Sequence, residues 1–317
     1  MRVATIDIGT NTVLLLVAEL AASGELEAVE ERATITRLGE GVDRTRTLSP
    51  AAIARTTSCL DEYAEVIRRS GASRIGVIGT SAMRDAGGGE AIRVHVKRVL
   101  GVEARTISGD EEARLTFAGA VSGLGLERGK GVTVFDVGGG STEVVVGELD
   151  EGGRPLPPRY AQSFDVGSVR LTERHVRSDP PASNELDAIE NDVRKAFAAI
   201  SVRDGEPIGI AGTMTTLAAV SLGLVPYDGA RVHGHRMPVG ELQRVVTELA
   251  ALPLARRRSV PGLEPKRADV IVAGGKLALG LLARVGAGFV RISDRGVRWG
   301  LAQTLYLGAS TSASKRS

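Results

Sequence analysis

Two related lobes of α/β type are predicted by three observations. A short pattern occurs twice: Ile6-Asp7-Ile8-Gly9-Thr10-Asn11-Thr12 leads into an apolar run from Val13 to Val17, and Phe135-Asp136-Val137-Gly138-Gly139-Gly140-Ser141 leads into Val144-Val145-Val146. Each copy reads apolar, Asp, apolar, Gly, two variable residues and a hydroxyl. β-rich residues flank a glycine turn in both, the signature of a hairpin with a polar tip. Second, each copy opens a series in which strand-like and helix-like segments alternate. Third, 317 residues with 43% hydrophobic content suffice for two domains with their own cores.

In the first series, Ser49 and Pro50 form an N-cap and first-turn pair, Ile53, Leu60 and Ile67 recur every seven residues, and Gly71 follows as a stop. This spacing predicts an amphipathic helix. Residues 74–79 read as a buried strand, 90–100 as a helix ended by Gly101, and 102–107 as another strand. The second series runs from Val132, with helices expected near 185–200, 215–221, 239–251 and 268–285. Gly123, Gly125, Gly129 and Gly131 interrupt the pattern between the series. The expected organisation is therefore lobe I over 1–122, lobe II over 123–296, a helix at 297–309 returning to lobe I, and a small, polar, frayed tail at 310–317.

Composition excludes several classes. Forty Lys and Arg against 38 Asp and Glu leave a formal charge of +2, too small for a protein that coats nucleic acid, so no stable nucleic-acid partner is expected. Any anionic ligand must be met by local basic groups. The single cysteine, Cys59, allows neither an intrachain disulfide nor a cysteine metal cage and suits a reducing cytoplasm. The amino terminus passes straight into a strand-like run without the apolar core and cleavage site of a secretory signal. No apolar stretch reaches the roughly 18 residues of a membrane span. A cytoplasmic protein without membrane association is expected.

The chemistry lies in glycine-rich turns. Gly9, Thr10, Asn11 and Thr12 in the first hairpin, and Gly138, Gly139, Gly140 and Ser141 in the second, let backbone N–H groups approach an anion while side chains donate further hydrogen bonds. Asp7 and Asp136, ahead of the turns, would repel bare phosphate; their natural role is to bind Mg2+ beside it. A third turn, Ala211-Gly212-Thr213-Met214-Thr215-Thr216, follows a strand-like segment and opens a helix, presenting Gly212 and Thr213 at the positive dipole end. One such turn is more often only a turn. Three at strand ends, two with a paired Asp, point to phosphate.

Longer segments carry a specific resemblance. They are Ile6 to Thr12, Gly79-Thr80-Ser81-Ala82-Met83-Arg84, Ile107-Ser108-Gly109-Asp110-Glu111-Glu112-Ala113-Arg114-Leu115, Asp136 to Glu143, Asp165-Val166-Gly167-Ser168-Val169-Arg170-Leu171-Thr172-Glu173, Gly212 to Thr216, and Ser293-Asp294-Arg295-Gly296-Val297-Arg298-Trp299-Gly300. In this order they resemble the exopolyphosphatase and guanosine pentaphosphate phosphohydrolase (Ppx/GppA) family across nearly the whole chain. The resemblance implies the two-lobed actin-like fold of sugar kinases, Hsp70 and actin, with duplicated ribonuclease H-like lobes and Asp7 and Asp136 facing one cleft. It further implies hydrolysis of a terminal phosphoanhydride with Mg2+ or Mn2+, Glu112 as catalytic carboxylate, Glu143 as a second one positioning water or metal, and Arg84 as a cation for phosphate. Thr10 and Thr12 stand where many members carry serine, which keeps the hydroxyls. The chain ends soon after Trp299 and so resembles the short two-domain form, suited to short rather than very long polyphosphate.

The residues themselves separate the adjacent glutamates. Ser108 and Glu111 stand in S-x-x-E spacing before a helical pattern, so Glu111 is expected to close a capping box. Glu112, about 100° around the helix, is left to face the substrate. His233 and His235 are assigned to a loop or substrate channel, because phosphate-bound Mg2+ prefers oxygen ligands. Inorganic polyphosphate and guanosine pentaphosphate both remain open as substrate, as do an actin-fold small-molecule kinase and a non-catalytic nucleotide sensor, although Glu112 with Glu143 argues against the sensor. A homodimer is compatible with everything above.

Overall fold

Residues Val3 to Ile8 are buried without a break, and a strand buried on both faces needs a layer on either side. The computed structural model, which describes residues 1–21, 25–201 and 205–313, shows those layers. This strand, β1 (Arg2–Ile8), forms a sheet with β2 (Thr12–Leu20), β3 (Leu26–Ile35), β4 (Arg74–Gly79) and β5 (Ala104–Thr106) in the order β3-β2-β1-β4-β5. Neighbours β1, β2 and β3 are antiparallel, whereas β4 and β5 run parallel to β1.

The helices Pro50–Ser70 and Glu90–Leu100 cover one face, where Ile6, Ile8, Leu60 and Tyr63 share a core. The Ser49 hydroxyl accepts the Ala52 N–H at 3.2 Å, and Gly71 ends the first helix at φ 68°; Gly101 ends the second at φ 73°. On the other face Trp299 and Ala302 of the helix Val297–Ala313 pack on Val3, Leu16 and Ala18. Residues Met1–Gly119 and the segment from Val297 onward make up this unit.

The second unit, Ala120–Gly296, holds β6 (Gly131–Val137), β7 (Thr142–Glu148), β8 (Tyr160–Phe164), β9 (Glu206–Ile210), β10 (Arg236–Pro238) and β11 (Phe289–Ile292), ordered β10-β11-β9-β6-β7-β8. Read from β8, the series β8-β7-β6-β9-β11 repeats β3-β2-β1-β4-β5 in order and direction. Only β10 is added, antiparallel at the edge. This is the ribonuclease H-like arrangement used twice, the duplication that defines the actin-like fold. The core of the second unit joins Phe135, Val137 and Val144 to Leu217, Leu242 and Leu277 of its helices.

The remaining helices fall close to their expected places, at Ser183–Phe197, Ala211–Ser221, Val239–Ala251 and Ile271–Val285. The last begins three residues late because Pro265–Arg267 forms a separate 3-10 turn. Strand β5 occupies only the middle of the segment expected at 102–107. Residues 314–317, the end of the expected tail, lie outside the described residues. No helix among the described residues is long and apolar enough to cross a membrane.

Gly300 shows how closely the first unit is packed. A Cβ there would overlap the backbone carbonyl of Leu115 in the helix Gly109–Val121. On an open helix Gly→Ala stabilises by about 1 kcal/mol; here the sign should reverse. Gly300→Ala is expected to lower stability by about 1–3 kcal/mol, the usual range for overpacking, in denaturant-induced unfolding. A gain in stability would show that these helices have room to part.

Candidate active site

In the first unit β1 and β2 meet in a hairpin so tight that the Gly9 N–H donates to Thr12 O at 3.1 Å. A Cβ at Gly9 would lie 2.9 Å from that oxygen, so the close approach requires glycine. The turn's carbonyls are tied down: Thr10 O accepts the Gly39 N–H at 2.8 Å, and Asn11 O accepts the N–H groups of Thr36 and Arg37 at 3.1 and 3.0 Å. Its capacity for an anion therefore lies in its N–H and hydroxyl donors. The Thr10 hydroxyl lies 2.7 Å from that of Ser81, which begins the short helix Ser81–Asp85.

Arg84, near the end of that helix, donates from Nη1 to Glu112 Oε2 at 3.0 Å and to Ile107 O at 3.3 Å. Arg84, named on resemblance alone, and Glu112, named on spacing as well, are thus an ion pair, linked through Ser81 to the first glycine turn. The neighbouring Glu111 behaves differently. Its N–H donates to Ser108 Oγ at 3.2 Å, but its carboxylate accepts from Arg105 at 2.8 Å. Only half of the expected capping box forms, because a guanidinium within reach is a stronger partner than a backbone N–H.

Asp7 sits in β1 between Leu14 of β2 and Ile78 of β4. It is buried, and its Oδ1 has no hydrogen-bond partner among the described residues. Burial pushes its carboxyl up to about 7, partly offset by the Arg298 guanidinium.

The second unit repeats the turn and changes its surroundings. The Gly138 N–H donates to Ser141 O at 3.0 Å. The carbonyls of Gly138 and Gly139 accept the N–H groups of Ser168, Val169 and Arg170 at 2.9 to 3.1 Å, at the start of the helix Ser168–His175. A Cβ on Gly167 would overlap Gly139. The run from Asp165 to Glu173 therefore supports the turn from behind, with its helical N–H groups already used.

Asp136 and Glu143 stand directly opposite each other on β6 and β7. Glu143 Oε1 accepts the Ser141 hydroxyl at 2.5 Å and the Ser163 hydroxyl at 2.8 Å. A hydroxyl has one proton to give, so Ser141 directs its proton to Glu143. Thr213 likewise donates to Val137 O at 2.8 Å; its side chain ties the third turn to β6. Beside it Gly212 lies against the Arg267 guanidinium, which any Cβ would overlap. Burial pushes the Arg267 guanidinium below its ordinary value, partly offset by the acidic groups Glu264 and Asp136.

His233 and His235 lie between the helix Gly229–Val232 and β10. His233 Nδ1 accepts the Asp294 N–H at 3.3 Å, and burial together with the Arg295 charge pushes its imidazole down to about 4. It is neutral at pH 7.

The sequence model of the Ppx/GppA phosphatase family matches residues 16–307. The chain belongs to that family. Exopolyphosphatase 2 of Mycobacterium tuberculosis is 38% identical over 321 residues, covering 96% of this chain and 98% of the relative. The crystal structure of the Aquifex aeolicus Ppx/GppA family member superposes with a TM-score of 0.82 at 32% identity, covering 98% of both chains. An exopolyphosphatase from Cytophaga hutchinsonii shares the fold at a TM-score of 0.86 and 23% identity, covering 97% of this chain and 98% of that one. As a Ppx/GppA phosphatase the protein is a hydrolase of phosphoanhydride bonds.

Two groups beside the second and third glycine turns escape a sequence reading. Arg267 lies in Pro265-Lys266-Arg267-Ala268-Asp269, where nothing local distinguishes it from a surface arginine; the missing side chain of Gly212 makes its place. Ser163 carries no motif and acquires its position through β8. Among the described residues no group of three or more His, Cys, Asp or Glu could hold a metal ion. Mg2+ held by one or two carboxylates, substrate phosphate and water needs no such cage, and the unpartnered buried oxygen of Asp7 suits a hard cation.

That oxygen gives a pH dependence with a definite sign. The Asp7 pKa is raised on folding, so the stability tied to its neutral form is fully present below the unfolded value of 3.8 and lost as pH rises through about 7. Metal-free protein should therefore lose stability between pH 4 and 8, by about a few kcal/mol at most from this group. Asp7→Asn should flatten that part of the profile and be the more stable form at pH 8 in a chelator. Parallel profiles for the two proteins would contradict it.

Proposed function

We propose that this Ppx/GppA phosphatase removes the terminal phosphate of inorganic polyphosphate, acting on short chains, by attack of a water molecule prepared by Glu112. The observation that carries the reading is the Arg84–Glu112 pair, 3.0 Å apart and linked through Ser81 to the first glycine turn. It sets a carboxylate and a cation beside donors suited to phosphate oxygens. The choice of polyphosphate is supported by the relative named exopolyphosphatase 2, of which this chain covers 98%.

In this reading the first glycine turn and Arg84 orient the terminal phosphoryl group. Glu112 takes a proton from water as the water oxygen bonds to phosphorus. The bridging oxygen leaves with the shortened chain, and orthophosphate is released. Asp7 of the first unit and Asp136 of the second are the carboxylates that would serve Mg2+ or Mn2+, whose charge would offset that of the phosphates. Glu143, opposite Asp136, orients water or metal. Cys59, a buried free thiol, accords with a cytoplasmic enzyme.

Substitution at the adjacent glutamates tests the assignment. Glu112→Gln keeps shape and the hydrogen bond to Arg84 but removes the base, and should lower phosphate release by roughly a hundredfold or more. Glu111→Gln weakens an exposed pair with Arg105 and should cost about 1 kcal/mol of stability or less, with turnover near normal. The reverse pattern would transfer the catalytic role to Glu111.

Substrate and metal are tested together by measuring phosphate release from short polyphosphate, long polyphosphate and guanosine pentaphosphate. Short polyphosphate should be the best substrate, and a chelator should abolish its turnover. Preference for guanosine pentaphosphate would reassign the substrate within the family, and full activity in chelator would end the metal-assisted reading.

A further inference from the structure

The two sheets share one frame, so the residues beside the two aspartates can be compared position by position. In the first unit the row across the strands reads Ala33, Leu14, Asp7, Ile78; in the second it reads Ser163, Glu143, Asp136, Ile210. The aspartate and the isoleucine are common to both. Where the first unit has an aliphatic pair, the second has a glutamate with a serine beyond it.

Glu143 and Asp136 are like charges directly opposite on antiparallel strands, an arrangement that pushes the two side chains apart. Two hydroxyls act on the same glutamate oxygen. Ser141 donates from the near end of β7 and Ser163 from β8, on the side of Glu143 away from Asp136. Hydrogen bonds to a charged acceptor are about twice as strong as neutral ones. Two fixed donors on one oxygen define the orientation of the carboxylate more tightly than either alone.

We propose that Ser163 is a positioning residue that holds the Glu143 carboxylate toward β8, in the orientation that hydrolysis requires. The inference rests on the proposed role of Glu143 and adds a group with no other evident duty. Ser163 is exposed, lies outside the glycine turns, and makes its hydrogen bond to Glu143. Its partner in the clamp, Ser141, has the backbone of a phosphate turn to maintain, so Ser163 is the donor that can be removed cleanly.

The test measures phosphate release from short polyphosphate with Mg2+ for the full chain and for Ser163→Ala, Ser163→Thr, Glu143→Gln and Ser163→Ala/Glu143→Gln. Ser163→Ala should lower kcat roughly tenfold, the scale of one hydrogen bond to a charged group, with KM changed by less than about twofold. Ser163→Thr, which keeps the hydroxyl, should recover most of the loss. In the Glu143→Gln background Ser163→Ala should cost less than about twofold, because its effect passes through the missing carboxylate.

Unchanged kcat in Ser163→Ala, an equal loss in both backgrounds, or failure of threonine to rescue would overturn the proposal. A Glu143→Gln enzyme as active as the parent would instead remove the role of Glu143 on which it stands. Unchanged thermal unfolding of Ser163→Ala is expected, and a lowered midpoint paralleling the loss of activity would assign the effect to stability and defeat the proposal.

Discussion

Two backbone hydrogen bonds fix the two glycine turns, one in each unit: Gly9 N–H to Thr12 O and Gly138 N–H to Ser141 O. Each closes a hairpin at a separation that leaves no space for an ordinary Cβ. Closing the turn there sets the strand register, Ile8 opposite Val13 and Val137 opposite Thr142. Register has a period of two, so a slip by one residue would turn each aspartate to the other face. The turn thus determines both where its donors are presented and which residue stands opposite the aspartate.

The duplicated frame is put to unequal use. In the first unit the residue opposite Asp7 is Leu14, and the additional charges come from outside the sheet, through Arg84 and Glu112 on separate helices. In the second, the carboxylate opposite Asp136 belongs to the sheet itself, and Arg267 approaches from beyond the third turn. A sheet side chain such as Glu143 has its direction set by the pleat. One on a helix start, such as Glu112, depends on a partner, here the Arg84 guanidinium.

Features legible in the sequence were those with local causes. Ser49, Pro50 and Gly71 bound a helix by capping chemistry, and the repeated Asp-x-Gly pattern gave both hairpins, because a turn is decided by the residues within it. What escaped depends on distant chain. Strand β3, with sequence Leu-Glu-Ala-Val-Glu-Glu-Arg-Ala-Thr-Ile, lacks the apolar alternation of a core strand because it forms a charged edge. The hydroxyls of Ser141 and Thr213 looked available to phosphate, yet they donate to Glu143 and to the backbone of Val137. The same reasoning explains the incomplete capping box: Ser108 and Glu111 have the spacing, but Arg105 competes for the carboxylate. Local signals name a group's capacity, and tertiary neighbours determine how it is spent.

Asp7 shows most clearly how this structure departs from one built for stability alone. Carboxylates are seldom buried without a partner, since desolvation disfavours the charged form and an unsatisfied oxygen costs about 1–3 kcal/mol. The register that opposes it to Leu14 and Ile78 supplies no donor, and Arg298, also engaged with Glu31, offsets the burial only in part. A leucine or valine would suit the same row better, as the aliphatic residues around it show. In the proposed metal-assisted reaction an acid in such a place would have its use, because the low-dielectric surroundings that penalise the bare charge would also strengthen its attraction for a cation. On the proposed reading, the disfavoured charge at Asp7 and its attraction for a metal would have one physical origin.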